Sequence, residues 1–171
     1  MEILTYILEG TLEHKDSMGT GSLIKRGDIQ RMSAGTGVTH SEYNASKKDV
    51  VHLLQIWILP EKGGIKPGYE QTHLEDNSRK NRLYSMASGQ SKNGAVTIHQ
   101  DVEVFTALLD KGQKIDYSFK NKRYGWLQVA AGAVEVNGKM LEAGDGAAIS
   151  EEKQLDIISE KDSELLLFDL A

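Results

Sequence analysis

One pattern of short strands and turns occurs twice in this chain, and that duplication limits the fold more than any other feature. Tyr6-Ile7-Leu8-Glu9-Gly10-Thr11-Leu12-Glu13 matches Val129-Ala130-Ala131-Gly132-Ala133-Val134-Glu135 when Gly10 is laid on Gly132. Each copy then reaches a Gly-Asp pair, Gly27-Asp28 and Gly144-Asp145, which fits a tight turn with glycine at positive φ. Each ends in an apolar strand, Leu53-Leu54-Gln55-Ile56-Trp57-Ile58 or Leu165-Leu166-Leu167-Phe168-Asp169-Leu170. Strand, hairpin, strand, Gly-Asp and strand, used twice, describes a double-stranded β-helix, or jelly roll. The segment Pro60 to Arg82, with Gly63-Gly64, Pro67-Gly68 and a charged run, reads as the connection. The expected organisation is therefore 1–60, a connecting segment over 61–82, and 83–171.

The remaining strand signals agree with an all-β chain. Apolar or alternating runs bounded by turn residues fall at Ile3–Leu8, Leu12–His14, Gly21–Ile24, Asp28–Ser33, Val50–Leu59, Leu83–Ser88 and Val96–Gln100 in the first stretch. They continue at Val102–Leu109, Gly125–Ala130, Ala133–Val136, Gly146–Ile149, Gln154–Ile158 and Glu164–Leu170. Asn137-Gly138 predicts a type I′ hairpin, because both central residues need φ > 0, and Asn93-Gly94 is a second such signal. No segment keeps a 3.6-residue apolar period over three turns, so at most one or two short helices are expected.

Composition narrows the function classes. A formal charge of -5 argues against a nucleic-acid surface, and the densest basic spots, Lys47-Lys48 and Lys120-Asn121-Lys122-Arg123, read as solvated loops. The absence of cysteine removes disulfides and thiolate ligands and fits a reducing cytoplasm. The nearly apolar run Val50 to Leu59 is interrupted by His52 and Gln55 and is too short to span a bilayer. No signal peptide is visible, so the expectation is a cytoplasmic protein without nucleic-acid or membrane partners.

The chemistry concentrates in Gly35-Thr36-Gly37-Val38-Thr39-His40-Ser41-Glu42-Tyr43-Asn44. His40 and Glu42 at i and i+2 leave an extended strand on the same face. An imidazole beside a carboxylate on a rigid strand is half of a non-haem metal site. Counting the same interval from each Gly-Asp pair sets Ile157 opposite His40 and Ser159 opposite Glu42, so only the first half keeps ligand-type residues. The other histidines read differently: His14 and His73 as surface residues, His52 as core packing, and His99 with Asp101 at i+2 as a decoy pair. Trp57 and Trp126 read as core.

The same residues resemble the pirin family, bicupin proteins of the cupin superfamily. The resemblance runs through Met1 to Gly10, His14-Lys15-Asp16-Ser17-Met18-Gly19, Met32 to Asn44, Leu54-Gln55-Ile56-Trp57-Ile58, His99-Gln100-Asp101 and Leu166-Leu167-Phe168-Asp169-Leu170. It extends to bacterial quercetin 2,3-dioxygenase-type members. It implies two tandem cupin domains, the first incomplete at its N-terminus, and a mononuclear non-haem iron held by three histidines and one glutamate in the first domain. His40 and Glu42 match the third histidine and the glutamate, and the C-terminal cupin is implied to carry no metal. The first two histidines belong to a His-x-His motif just before the position of Glu2, and they are absent here. Glu2 itself lies outside the family's ligand pattern.

That departure divides the functional expectation. Iron oxygenase sites need at least three protein ligands, so one imidazole and one carboxylate chelate weakly. The resemblance implies a metal-dependent dioxygenase of a flavonol-like aromatic, with Glu42 anchoring the metal and taking the substrate's hydroxyl proton and His40 a ligand only. Manganese, cobalt, nickel or copper also suit such ligands. The alternatives to an upstream start of the protein are a shortened paralogue without iron and a site completed by another chain. The competing function is a non-catalytic regulatory protein that acts through a protein partner.

Overall fold

The computed structural model describes residues 1–90 and 94–171, so Asn93 of the expected Asn93-Gly94 turn lies outside the described residues. Two compact units share the chain: Met1–Leu74 with Gly89–Gln100, and Glu75–Ser88 with Asp101–Ala171. The first holds β1 (Glu2–Glu9), β2 (Thr11–Asp16), β3 (Gly21–Lys25), β4 (Asp28–Ser33), β5 (His40–Asn44), β6 (His52–Ile58) and β7 (Gly68–His73). A one-turn helix α1 (Asp76–Arg79) and β8 (Tyr84–Ser88) belong to the second unit, and β9 (Val96–Thr97) returns to the first. The second unit continues through β10 (Val102–Leu109), β11 (Lys114–Ser118), β12 (Tyr124–Ala131), β13 (Ala133–Val136), β14 (Lys139–Glu142), β15 (Gly146–Ile149), β16 (Gln154–Ser159) and β17 (Ser163–Leu170). The expected all-β class holds, and no helix among the described residues is long and apolar enough to cross a membrane.

In the first unit the sheets run β6-β1-β4-β7 and β3-β2-β5. β1 is a nearly continuous apolar run, as a strand buried on both faces should be, and every residue from Glu2 to Leu8 is buried. Its alternation places Ile3, Thr5 and Ile7 on one face. Ile7 packs with Leu12 and Ile24 into a small core that Val51 and Leu53 complete. The second unit uses strands β15-β12-β17-β10-β8 and β11-β16-β13-β14 around a larger core that includes Leu127, Val129, Val134, Val136, Leu155, Ile157, Leu165 and Leu167.

The duplication read from the sequence is present in the pairing. β1–β4, β1–β6, β2–β3 and β2–β5 recur as β12–β15, β12–β17, β13–β14 and β13–β16. Gly10 and Gly132 both have positive φ, and a Cβ on either would run into a backbone carbonyl, that of Val50 or Asp162. The matching turns carry matching caps: Asp28 Oδ2 accepts the Lys25 N–H and Asp145 Oδ2 the Glu142 N–H, each at 2.9 Å. Asn137 and Gly138 both take positive φ in the β13–β14 hairpin, as its sequence demands. The units differ at their rims. β10 and β11 pair with the outer sides of β17 and β16, whereas among the described residues β6 and β5 are outer strands.

Part of the segment expected as a connection over 61–82 is a strand of the first unit. Gly68–His73 pairs with β4 along its length, from Ser33↔Gly68 to Asp28↔His73, and so extends the first unit's sheet. Its polar composition, Tyr-Glu-Gln-Thr-His, hid a strand that other polar side chains satisfy. Likewise 96–100 returns to the first unit because charged groups there hold it. Arg31 donates to the Thr97 carbonyl, Glu70 accepts the Thr97 N–H, and buried Glu2 accepts from the His99 N–H at 2.7 Å and ring Nδ1 at 2.8 Å. His99 therefore pairs with Glu2, not with Asp101. β11 was also missed, since Lys114-Ile115-Asp116-Tyr117-Ser118 buries only Ile115 fully.

Burial raises the Glu2 carboxyl's pKa, but the His99 ring, the Ser33 hydroxyl and the His99 N–H outweigh it, and the group ends below the ordinary carboxylate range. A folded-state pKa below the unfolded value contributes stability above the unfolded pKa, about 4.3, and loses it as pH falls through the folded value. Glu2→Gln is accordingly expected to destabilise the protein near neutral pH, with the gap to wild type narrowing below about pH 4. Urea melts at several pH values measure this, and a gap that widened on acidification would contradict the assignment.

Candidate functional site

The strand register of the small sheet builds the site in layers. β2 pairs with β5 so that Leu12 opposes Asn44, His14 opposes Glu42 and Asp16 opposes His40, while Leu12 opposes Ile24 and His14 opposes Ser22 on β3. Leu12, His14 and Asp16 share one face of β2 by alternation. The apolar floor of Ile7, Leu12, Ile24 and Leu53 thus continues upward into His14, Glu42, Asp16 and His40. His40 and Glu42 lie on one strand and one face, as their spacing requires.

Asp16 anchors this layer. Its Oδ1 accepts the N–H groups of Met18 at 2.9 Å and Thr20 at 3.0 Å, and its Oδ2 lies 3.2 Å from His14 Nε2. Burial pushes the Asp16 carboxyl up, but the Thr20 N–H, the His14 ring and the Met18 N–H together hold it below its ordinary value. An ionised Asp16 makes His14 Nε2 the donor, which leaves Nδ1 facing Glu42 Oε1 at 3.7 Å. That Nδ1 is buried without a hydrogen-bond partner. The His14 ring stacks on His40 with centroids 5.7 Å apart and lies 5.2 Å from the Tyr69 ring. Burial and the carboxylates of Asp16, Asp28 and Glu42 push the Tyr69 phenol up despite its bond to Ser22, so it stays protonated and donates to Gln71 Oε1 at 2.7 Å. The other Glu42 oxygen, Oε2, accepts from Gln55 Nε2 at 2.9 Å, and Gln55 Oε1 accepts from the Trp57 indole N–H at 3.0 Å.

The second unit shows what this layer replaces. Positions equidistant from Gly10 and Gly132 in the paired strands set Val136 where His14 stands, and Ile157, opposite Val136, where Glu42 stands. Leu155 then takes the place of His40. Leu127 opposes Leu167 where Thr5 opposes Gln55. The expected equivalences of Ile157 with His40 and Ser159 with Glu42 were displaced by two residues, because the stretch from Gly-Asp to this strand is two residues shorter in the second unit. The contrast survives the correction: a polar layer of Thr5, His14, His40, Glu42 and Gln55 sits where the twin has Leu127, Val136, Leu155, Ile157 and Leu167.

Several sequence expectations change. His14, read as a surface residue, is fully buried, and the signal that could have found it was its alignment with the core residue Val136. His52 is exposed at the start of β6, not packed in the core. His73 is exposed as expected, at 55%, and also bonds Asp28 at 2.8 Å. Trp57 and Trp126 are also not core residues, at 64% and 40% exposure. Among the described residues no group of three or more His, Cys, Asp or Glu side chains is gathered to hold a metal ion. Importing the twin's solution tests the layer's logic. His14→Val and Glu42→Ile should each lower stability singly, whereas the double variant should recover at least about 1 kcal/mol relative to additivity, because the two apolar replacements face each other and can pack as Val136 and Ile157 do. A double-mutant cycle in urea gives the coupling, and strict additivity would show that the two side chains do not interact.

The geometry can be set beside known proteins. Residues 1–58 match the family model described as Pirin, and residues 85–170 match the one described as quercetinase C-terminal cupin domain. A quercetin 2,3-dioxygenase of Escherichia coli K12 is 44% identical over 170 residues, which cover 99% of this chain and 72% of the relative. A pirin-like protein of Caulobacter vibrioides is 38% identical over 100% of this chain and 74% of its own length. The crystal structure of the bacterial pirin YhhW from Escherichia coli in complex with nickel(II) superposes with a TM-score of 0.93 at 43% identity, over 99% of this chain and 72% of that one. With the duplicated cupin architecture, these likenesses establish that the chain belongs to the pirin family.

Proposed function

We propose that the first unit binds a divalent metal ion through His40 and Glu42 and serves a quercetinase-type oxidation of a flavonol-like aromatic. The observation that carries this reading is the polar layer itself: a position filled with Leu, Ile and Val in one copy is given imidazoles, a carboxylate and an amide in the other. Such a layer forgoes hydrophobic burial of about 1.5–3 kcal/mol per side chain, which a purely structural role does not explain. The donor chemistry fits the group, since imidazole nitrogen and carboxylate oxygen suit iron or nickel. The relatives named quercetin 2,3-dioxygenase and the nickel(II) complex of a bacterial pirin support the same reading.

Two donors hold a metal weakly. The second unit indicates where further donors would enter. There β11 adds to the outer side of β16, placing Ile115 opposite Ile157 and Tyr117 opposite Leu155. A strand added in the same way along β5 would present two side chains, at i and i+2, to Glu42 and His40.

A bound divalent metal supplies Lewis acidity and open positions for oxygen ligands. The chain's own residues do the rest. His40 contributes a ring nitrogen whose orientation the stacked His14 ring fixes. Gln55 occupies Glu42 Oε2, so the carboxylate plane is set and Oε1 remains to accept the proton of a substrate hydroxyl. The Glu42 side chain is 20% exposed, which leaves it reachable.

Calorimetric titration with nickel(II) or iron(II) should show binding that His40→Ala and Glu42→Gln each abolish. Quercetin consumption under air with the metal supplied should fall at least about a hundredfold in Glu42→Gln, which removes a ligand as well as a positioned base. A Glu42→Gln protein that kept both metal and turnover would refute the assignment. The two-donor set favours one second reading, a non-catalytic protein acting through a protein partner. Metal-loaded wild type with no turnover would move the conclusion there.

A further inference from the structure

The residues just above Glu42 on β6 are not needed to hold a metal, yet they are tied to the site. Leu53, Gln55 and Trp57 alternate onto one face of β6, and Leu53 fixes that face as the inner one by packing on Ile7, Leu12 and Ile24. Gln55 is held at both ends, donating to Glu42 and accepting from the Trp57 indole. Trp57 opposes Ile3 on β1 and is 64% exposed. An indole whose only donor is spent on a neighbouring side chain offers a ligand its π face and no hydrogen bond.

The twin unit is built the other way at the same place. Ile3 corresponds to Gly125, so Trp57 corresponds to Asp169, which opposes Gly125. Asp169 is buried and closed off by Arg123, and it accepts from the Tyr117 hydroxyl. One copy seals its rim with an ion pair, whereas the other leaves a wide aromatic surface beside a carboxylate.

From this we infer that Trp57 is a ring-binding platform, held in place by Gln55, which selects flat aromatic substrates and lays their hydroxyl edge toward Glu42. The inference rests on the reading of His40 and Glu42 as the metal-binding, proton-accepting pair, and it names the residue that sets substrate shape at that pair. Planarity is what the platform recognises, because stacking needs a flat partner, while oxygen atoms on the ring edge meet the polar layer. Gln55 is a positioning residue: it fixes the Glu42 carboxylate and the indole relative to each other.

The chain has two tryptophans, so Trp126→Phe leaves Trp57 as the sole indole reporter. In that background, with nickel(II) present, quercetin should quench the Trp57 emission, and dihydroquercetin, with similar hydroxyls but a puckered ring, should bind at least about fivefold more weakly, the worth of one aromatic pair. Trp57→Leu, read by calorimetry, should lose the preference for the flat compound and weaken quercetin about fivefold or more, whereas Trp57→Phe should keep most of both. Gln55→Leu should shift the emission of the freed indole and weaken quercetin while leaving the planarity preference in place. The exposure of Trp57 makes these variants safe for folding, and nickel(II) titration of each confirms an intact pair. Equal quercetin affinity in Trp57→Leu with nickel(II) still bound would overturn the platform and leave the metal reading standing. Trp57-dependent quercetin binding in a protein that takes up no nickel(II) would support the platform and remove the metal reading. No quercetin binding by wild type at all would overturn both.

Discussion

The first unit depends on one contact sequence, Asp16 to His14 to Glu42 to Gln55, laid across the top of an apolar floor. Burying polar groups is tolerated only when they satisfy one another, and an orphaned buried donor or acceptor costs about 1–3 kcal/mol. Here each member has a partner on at least one side, and the anchor is not a side chain but the backbone: the Met18 and Thr20 N–H groups fix Asp16. The turn that supplies those amides follows directly after β2, so the sheet's own geometry sets the carboxylate. From there the imidazole orientation follows, and His14 in turn supports the His40 ring. Glu42 is then held by Gln55 from the other sheet of the same unit, with its Oε1 facing His14 Nδ1 at 3.7 Å.

The layer is stabilised from below. Ile7, Leu12, Ile24 and Leu53 close the bottom of the unit with the same positions the twin uses for Val129, Val134, Leu141 and Leu165. Divergence between the copies is therefore confined to the level above. An apolar twin at that level gains packing on every side, as the larger cluster of the second unit shows. The polar copy gives that up and keeps His14 Nδ1 and Thr5 Oγ1 buried without hydrogen-bond partners. Unsatisfied groups of this kind each cost about 1–3 kcal/mol, so the layer is not an optimum of packing.

Much of this was legible in the sequence because it is repeated there. The Gly10 and Gly132 turns, the Gly-Asp caps and the closing apolar strands recur with the same backbone demands, and the Asn137-Gly138 hairpin carries its own conformational signature. His40 and Glu42 were visible because period two needs only local spacing. What was not legible depends on partners far away in sequence. β7 is polar, and it is a strand only because β4 offers it backbone groups. His14 follows a turn-like run of polar residues and looks exposed until Glu42, twenty-eight residues on, is placed opposite it. The pairing of Glu2 with His99 spans almost the whole first unit in sequence, and no local pattern announces it.

The rims of the two copies are built in different ways. In the second unit, Tyr117 lies on β11 and bonds Asp169 on β17, so a side-chain bridge runs over the opening between strands of its two sheets. Burial and the Asp169 carboxylate push the Tyr117 phenol far up, which keeps it a donor, and Arg123 neutralises the carboxylate from the other side. That lid is charge-balanced and sits on a layer of hydrocarbon. In the first unit the corresponding place carries Trp57, whose size cannot be buried by its neighbours and whose polar atom is already engaged. An aromatic face left 64% exposed beside a carboxylate held by Gln55 contributes little to packing. It is explained if the face has to meet a flat molecule from solution, and the same Gln55 that restrains the indole then also sets the carboxylate that this molecule would reach.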